Sequence, residues 1–185
     1  MTRAPRITTS GEATSALDEA VVAFRRAVER SGSLDLPTTE LVRLRCAEYH
    51  NCRACLSFRN EAAIAAGVDE TVVRAIGRYE DVDLPERWKL TLRLVDAMIV
   101  DPAAVDDGLS AQLRAYFTHE QIAEIVFDVM KWSDRKTHVA LGLDEAQHDG
   151  ISSYSFDDAG RSVLGPPMDD HSRLYSDRRV EVTND

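Results

Sequence analysis

Apolar positions along this chain recur mainly every three or four residues, the spacing that lines one face of a helix. From Thr14 to Arg30 the side chains Leu17, Ala20, Val21, Phe24, Ala27 and Val28 form such a stripe, and Gly32 is placed to end it. A second helix is predicted from near Thr38, after Pro37, through Glu40, Leu41 and Leu44 to about Tyr49. A third runs from about Cys52 to Ala66, with Gly67 as its C-terminal cap. Asp69 then caps a short helix through Val72, Val73 and Ile76.

Beyond the polar stretch Arg78 to Asp83, the positions Leu84, Trp88, Leu92, Val95 and Ile99 resume the helical step, and Pro102 closes the pattern. A short helix around Leu109 to Phe117 follows. Thr118 and Gln121 have the form of a capping box that opens a long helix through Ile122, Ile125, Val126, Val129 and Trp132 to about Leu141, stopped by Gly142. No segment alternates with period two over a β-branched run, so no sheet is expected. The expected fold is an all-α helical bundle of one domain over residues 1–143, followed by a polar, irregular C-terminal tail over residues 144–185. Gly150, Gly160, Gly165, Pro166 and Pro167 punctuate that tail. No internal repeat marks a solenoid.

Charge narrows the class of partner. With 22 basic and 32 acidic side chains among 185 residues the formal net charge is −10, which repels phosphate backbones and anionic lipid. Nucleic acid and membrane are therefore not expected as partners. No apolar run approaches the roughly 20 residues of a membrane span, and the first residues lack a secretory apolar stretch, so the expected location is the cytoplasm.

Three cysteines, an odd number, do not make a disulfide framework, and a reducing compartment keeps such thiols free unless they are catalytic. Cys52 and Cys55 form a Cys-x-x-Cys at the expected start of the third helix, where free backbone N–H groups favour a thiolate. On one continuous helix Cys52, Cys55 and Arg59 share a face, so that Arg59 would favour the thiolate of Cys55. Two intervening residues let the sulfurs close a disulfide once one of them is oxidised to a sulfenic acid. Cys46 reads as a small buried hydrophobe. A zinc site built from Cys46, His50, Cys52 and Cys55 lacks the two separated knuckles such sites use, and no metal or other cofactor is expected. Taken singly, Glu40 reads as a first-turn acid, Arg59 as a surface cation, and His119 and His138 as capping or packing residues.

The segment TELVRLRCAEYHNCRACLSFR resembles the core motif of the AhpD-like, carboxymuconolactone decarboxylase superfamily, in which a glutamate precedes Cys-x-x-Cys by twelve residues. Glu40, Cys52 and Cys55 meet that spacing. The later segment THEQIAEIVFDVMKWSDRKTHVALGLD is similar to the helix that closes that fold, so the resemblance covers most of Pro37 to Leu143. It implies an all-α domain assembled as a homotrimer or homohexamer. It also implies an antioxidant peroxidase cycle: Cys55 attacks an organic hydroperoxide, Cys52 resolves the sulfenic acid, Glu40 accepts the proton, and a dithiol donor such as a lipoyl group or a thioredoxin-like protein restores the thiols. Arg59 stands where the family has a relay histidine, and arginine does not give up its proton at working pH. His50 is the nearest candidate for that relay. The alternatives are a lactone decarboxylase-like enzyme of the same fold, working by acid–base chemistry, and a non-catalytic oligomeric redox sensor.

Overall fold

The computed structural model describes residues 15–146, 150–157 and 162–168. The helices are α1 (Ser15–Glu29), α2 (Leu36–His50), α3 (Arg53–Leu56), α4 (Glu61–Ala65), α5 (Glu70–Ala75), α6 (Glu86–Val100), α7 (Asp107–Tyr116), α8 (His119–Ser133) and α9 (Arg135–Leu141). Short 3₁₀ turns cover Ile76–Asp81 and Pro102–Ala104. The architecture is a helical bundle with α2 at its centre, packed against α6 and α8.

Helix ends follow local chemistry. Asp35 caps α2 by accepting from the Thr38 N–H at 2.9 Å and its hydroxyl at 2.7 Å, which opens the helix slightly ahead of the predicted start. Asp69 caps α5 as expected, and Thr118 with Gln121 makes the reciprocal capping box of α8. Gly142 takes a left-handed φ of 75° to end α9, a conformation in which a Cβ would be strained.

Two apolar clusters fill the bundle on opposite sides of α2. One joins Val42 and Cys46 to Leu90, Leu94, Ile125 and Val129, and the other joins Leu41 and Leu44 to Val68, Ile76 and Leu92. Burial on both sides explains why α2 shows no single apolar stripe, and it places the charged groups Glu40, Arg43 and Arg45 inside the protein.

Three sequence expectations need correction. Residues 52–66 are not one helix: α3 ends after a single turn, residues Phe58–Asn60 form strand β1, and the Asn60 side chain caps α4 through the Ala63 N–H. The long helix to Leu141 breaks at Asp134, whose carboxylate is held by Arg25 of α1. A small sheet is also present. Strands β2 (Ser152–Phe156) and β3 (Ser162–Pro167) fall in the stretch read as irregular, in the order β1-β2-β3, with β1 and β2 parallel and β2 and β3 antiparallel. Ile151, Ser152 and Ser153 are buried where this sheet closes over the bundle. Residues 147–149, 158–161 and 169–185, His148 and His171 among them, lie outside the described residues. Among the described residues no helix is long and apolar enough to cross a membrane.

Candidate functional site

The site begins where α2 stops. Asn51 adopts φ 51°, ψ 42°, a left-handed cap whose N–H returns to the Ala47 and Glu48 carbonyls and turns the chain sharply. Cys52 follows as the N-cap of α3, and its sulfur accepts from the Cys55 N–H at 3.2 Å. Cys52 and Cys55 are joined by a disulfide, with their Cα atoms 5.2 Å apart. Cys52 is 1% exposed, whereas Cys55 is partly exposed. The cysteine pair therefore sits at a helix start, as its spacing implied, but that helix is one turn long and its dipole is correspondingly small.

Glu40 lies beneath this loop, 2% exposed. Its carboxylate accepts from Arg43 Nε at 2.7 Å, Arg43 Nη2 at 2.6 Å, the Asn60 N–H at 3.1 Å and the Tyr154 hydroxyl at 3.0 Å. Arg43 then reaches the loop, donating to the Cys55 carbonyl and to the Phe58 carbonyl, the latter at 2.6 Å. Its guanidinium lies between the rings of Trp132 and Tyr154, 5.9 Å and 5.5 Å from their centroids. Burial pushes the Tyr154 phenol up, with Arg43 opposing and the Glu40 carboxylate reinforcing the shift, so the hydroxyl remains a donor. Glu40 is thus a buried member of an ion pair rather than a first-turn surface acid.

The structure separates Arg59 from the helical face it was expected to share with the cysteines. It lies in β1, 1% exposed, with Nε 2.5 Å from a Glu70 oxygen and Nη1 donating to the Leu56 and Phe58 carbonyls at 2.8 Å each. Arg59 is a buried anchor of the segment that follows the cysteines. Cys46 is fully buried and burial pushes its thiol up to about 12, which agrees with its reading as an inert apolar side chain. Among the described residues no cluster of three or more His, Cys, Asp and Glu side chains is arranged to hold a metal ion.

His50, at the end of α2, is half-buried, and its Nδ1 has no hydrogen-bond partner among the described residues. Burial lowers its pKa, with Lys136 adding to the effect, so the ring is neutral near pH 7. The unfolded chain, with a histidine near ~6.5, takes up this proton first. The stability His50 confers is thus full above about pH 6.5 and is lost as the pH falls through the lower folded pKa. Urea midpoints taken from about pH 7 to pH 5 should fall less steeply for His50→Gln than for the parent. His138, lowered in the same direction, adds to the slope in both proteins, and Asp128, raised by burial, opposes it. Identical slopes would show that His50 titrates as it does in the unfolded chain.

Sequence reasoning missed Arg43, Tyr154 and Asp144. Arg43 stands three residues after Glu40, a spacing that places both on one helix face, so its partnership was legible in principle. Asp144 accepts from the Arg53 and Ala54 N–H groups through its side chain and carbonyl, and Tyr154 reaches Glu40 from β2. Both contacts span about a hundred residues, and no local pattern announces them.

Comparison with known proteins bears on the family and the fold. Residues 15–83 match the model of the carboxymuconolactone decarboxylase family. Two uncharacterized proteins of Mycobacterium tuberculosis, from strains CDC 1551 and H37Rv, are each 38% identical to this chain over 144 residues, covering 77% of it and 51% of each relative. The chain thus spans about half the length of these curated relatives. A crystal structure of a protein of unknown function from Agrobacterium tumefaciens, proposed to be the antioxidant defence protein AhpD, superposes with a TM-score of 0.64 at 21% identity, covering 78% of this chain and 99% of that one. The segment that matches the carboxymuconolactone decarboxylase family thus spans Glu40 and the cysteine pair, within a helical fold similar to that of the Agrobacterium protein.

Proposed function

We propose that this protein is a thiol peroxidase that reduces organic hydroperoxides through Cys52 and Cys55. The observation that carries the reading is the disulfide between a buried Cys52 and a more exposed Cys55, set in a fold with a single further cysteine that is buried. In the proposed cycle Glu40 takes the Cys55 proton, the thiolate attacks the hydroperoxide ROOH and breaks the O–O bond, and the alkoxide leaves as ROH with that proton returned, leaving a sulfenic acid on Cys55. The Cys52 thiol displaces that hydroxyl as water and closes the disulfide. A dithiol donor, a lipoyl group or a thioredoxin-like protein, then supplies two electrons and two protons, becomes a disulfide itself and restores both thiols. Buried Cys52 suits the resolving role, since it meets Cys55 rather than substrate.

Glu40 is the proton acceptor in this reading, tied to the cysteine loop through Arg43 and the Cys55 carbonyl. His50, neutral near pH 7, is the relay. The working form is a homotrimer or homohexamer in the cytoplasm. Leu17 at 68%, Phe127 at 47% and Met130 at 50% exposure, on α1 and α8, support an assembly that covers them. A lactone decarboxylase-like reaction would run on acid–base groups and would leave the Cys52–Cys55 disulfide without a role.

The test is consumption of cumene hydroperoxide by the reduced protein, with dihydrolipoamide as donor. Many turnovers per protein, dependent on the donor, are expected. A single oxidation event that the donor does not renew would instead make the protein a redox sensor.

A further inference from the structure

The first turn of α3 presents the backbone donors that a cysteine thiolate would use, and the structure accounts for all four. The Arg53 N–H donates to the Asp144 carboxylate at 3.2 Å, and the Ala54 N–H to the Asp144 carbonyl at 3.0 Å. The Cys55 N–H goes to the Cys52 sulfur at 3.2 Å, and the Leu56 N–H to the Cys52 carbonyl at 2.9 Å. Asp144, from the segment after α9, therefore holds two of the four. It is 6% exposed, and its carboxylate also meets Arg53 Nε at 3.3 Å. The family segment ends at residue 83, so this clamp comes from outside it.

Resting on the peroxidase reading above, we propose that Asp144 is a positioning residue that assigns the two cysteines their roles, holding Cys52 as the neutral resolving thiol and leaving Cys55 to ionise. Two effects act together. A carboxylate against the peptide that joins Cys52 to Arg53 opposes a second negative charge on Cys52. The same carboxylate takes a backbone donor that would otherwise solvate a Cys52 thiolate, leaving its sulfur the Cys55 N–H alone among these four. Reduction adds two electrons and two protons and breaks the S–S bond, a change that involves none of the atoms Asp144 anchors. The other charged groups around the loop include Arg53 in α3, Glu40 and Arg43 from α2, Arg59 with its partner Glu70 beside Leu56, and His50 with Lys136 at the adjoining ends of α2 and α9.

The experiment is residue-resolved alkylation of the dithiothreitol-reduced protein with iodoacetamide across pH 5 to 10, read by peptide mass spectrometry, for the parent and Asp144→Asn. In the parent, Cys55 should react with a lower apparent pKa than Cys52. In Asp144→Asn, which keeps the side-chain shape and the main-chain carbonyl, the Cys52 profile should move about one unit down, so that its rate near neutral pH rises roughly tenfold. The Cys55 profile should move less. Equal or inverted profiles in the parent overturn the assignment without any variant, and an unmoved Cys52 profile in Asp144→Asn overturns the role of Asp144. No peroxide enters this measurement. Absent peroxide turnover with the expected profiles refutes the peroxidase reading alone, and turnover with an unmoved Cys52 refutes the Asp144 inference alone.

Discussion

Replacing Cys55 with serine should reduce peroxide consumption by at least about a hundredfold, because a hydroxyl near neutral pH offers no counterpart to the thiolate that cleaves the O–O bond in the proposed cycle. The remaining thiols do not substitute for it. Cys46 is fully buried with its thiol pushed up to about 12, and Cys52 is 1% exposed. Cys52→Ser should behave differently. Its Cys55 can still react once, yielding one alcohol per chain and a sulfenic acid that dimedone traps, but the intramolecular disulfide cannot form and donor-dependent turnover should cease. Stopped-flow measurement of the first equivalent separates the two variants. Retention of that first reaction in Cys55→Ser and its loss in Cys52→Ser would reverse the roles given to the cysteines.

Arg59→His should destabilise the protein by about 3–5 kcal/mol, the usual range when one partner of a buried ion pair is removed. Glu70, itself buried, would lose its guanidinium, and the Leu56 and Phe58 carbonyls would lose a donor. For a chain of this size that corresponds to a fall in melting temperature of roughly 6–20 °C. Peroxidase turnover in the fraction that remains folded should not rise, since β1 directs this side chain into the pair with Glu70 and the histidine would inherit that position. Replacing both Arg59 and Glu70 with methionine should be less damaging than replacing Arg59 alone, because no buried charge is then left unpaired. A melting temperature unchanged in Arg59→His, with faster turnover, would show that Arg59 serves the thiol chemistry directly.

The contrast between these residues shows which parts of the molecule were legible in the sequence. The helices α1, α2, α6 and α7 and the capping box of α8 were legible because apolar spacing and capping side chains act within a few residues. The cysteine pair and Glu40 were legible because their spacing along the chain is itself the signal. The stretch after Cys55 was not. Its apolar content satisfies a helical pattern, but Arg59 finds Glu70, and residues 58–60 find a parallel partner in β2 more than ninety residues later. That partnership outweighs local propensity, and with it the expectation that Arg59 shares a face with the cysteines fails. Ser57 and Asn60, which end α3 and cap α4, were the local hints. The strands β2 and β3 escaped for a related reason: Ser152, Ser153 and Ser155 interrupt any apolar alternation, and their placement depends on the surface they cover. Tyr154 and Asp144, which complete the site from beyond the family segment, are consequences of that same closure.

The central claim, that Cys52 and Cys55 act together as the redox centre, is tested most directly by peptide mass spectrometry of the reduced protein after one equivalent of organic hydroperoxide. The account predicts one intramolecular Cys52–Cys55 disulfide per chain, two alkylatable thiols fewer, and Cys46 still recovered as a free thiol after denaturation. Recovery of Cys52 and Cys55 as separately alkylated thiols, with the peroxide unconsumed, would contradict it.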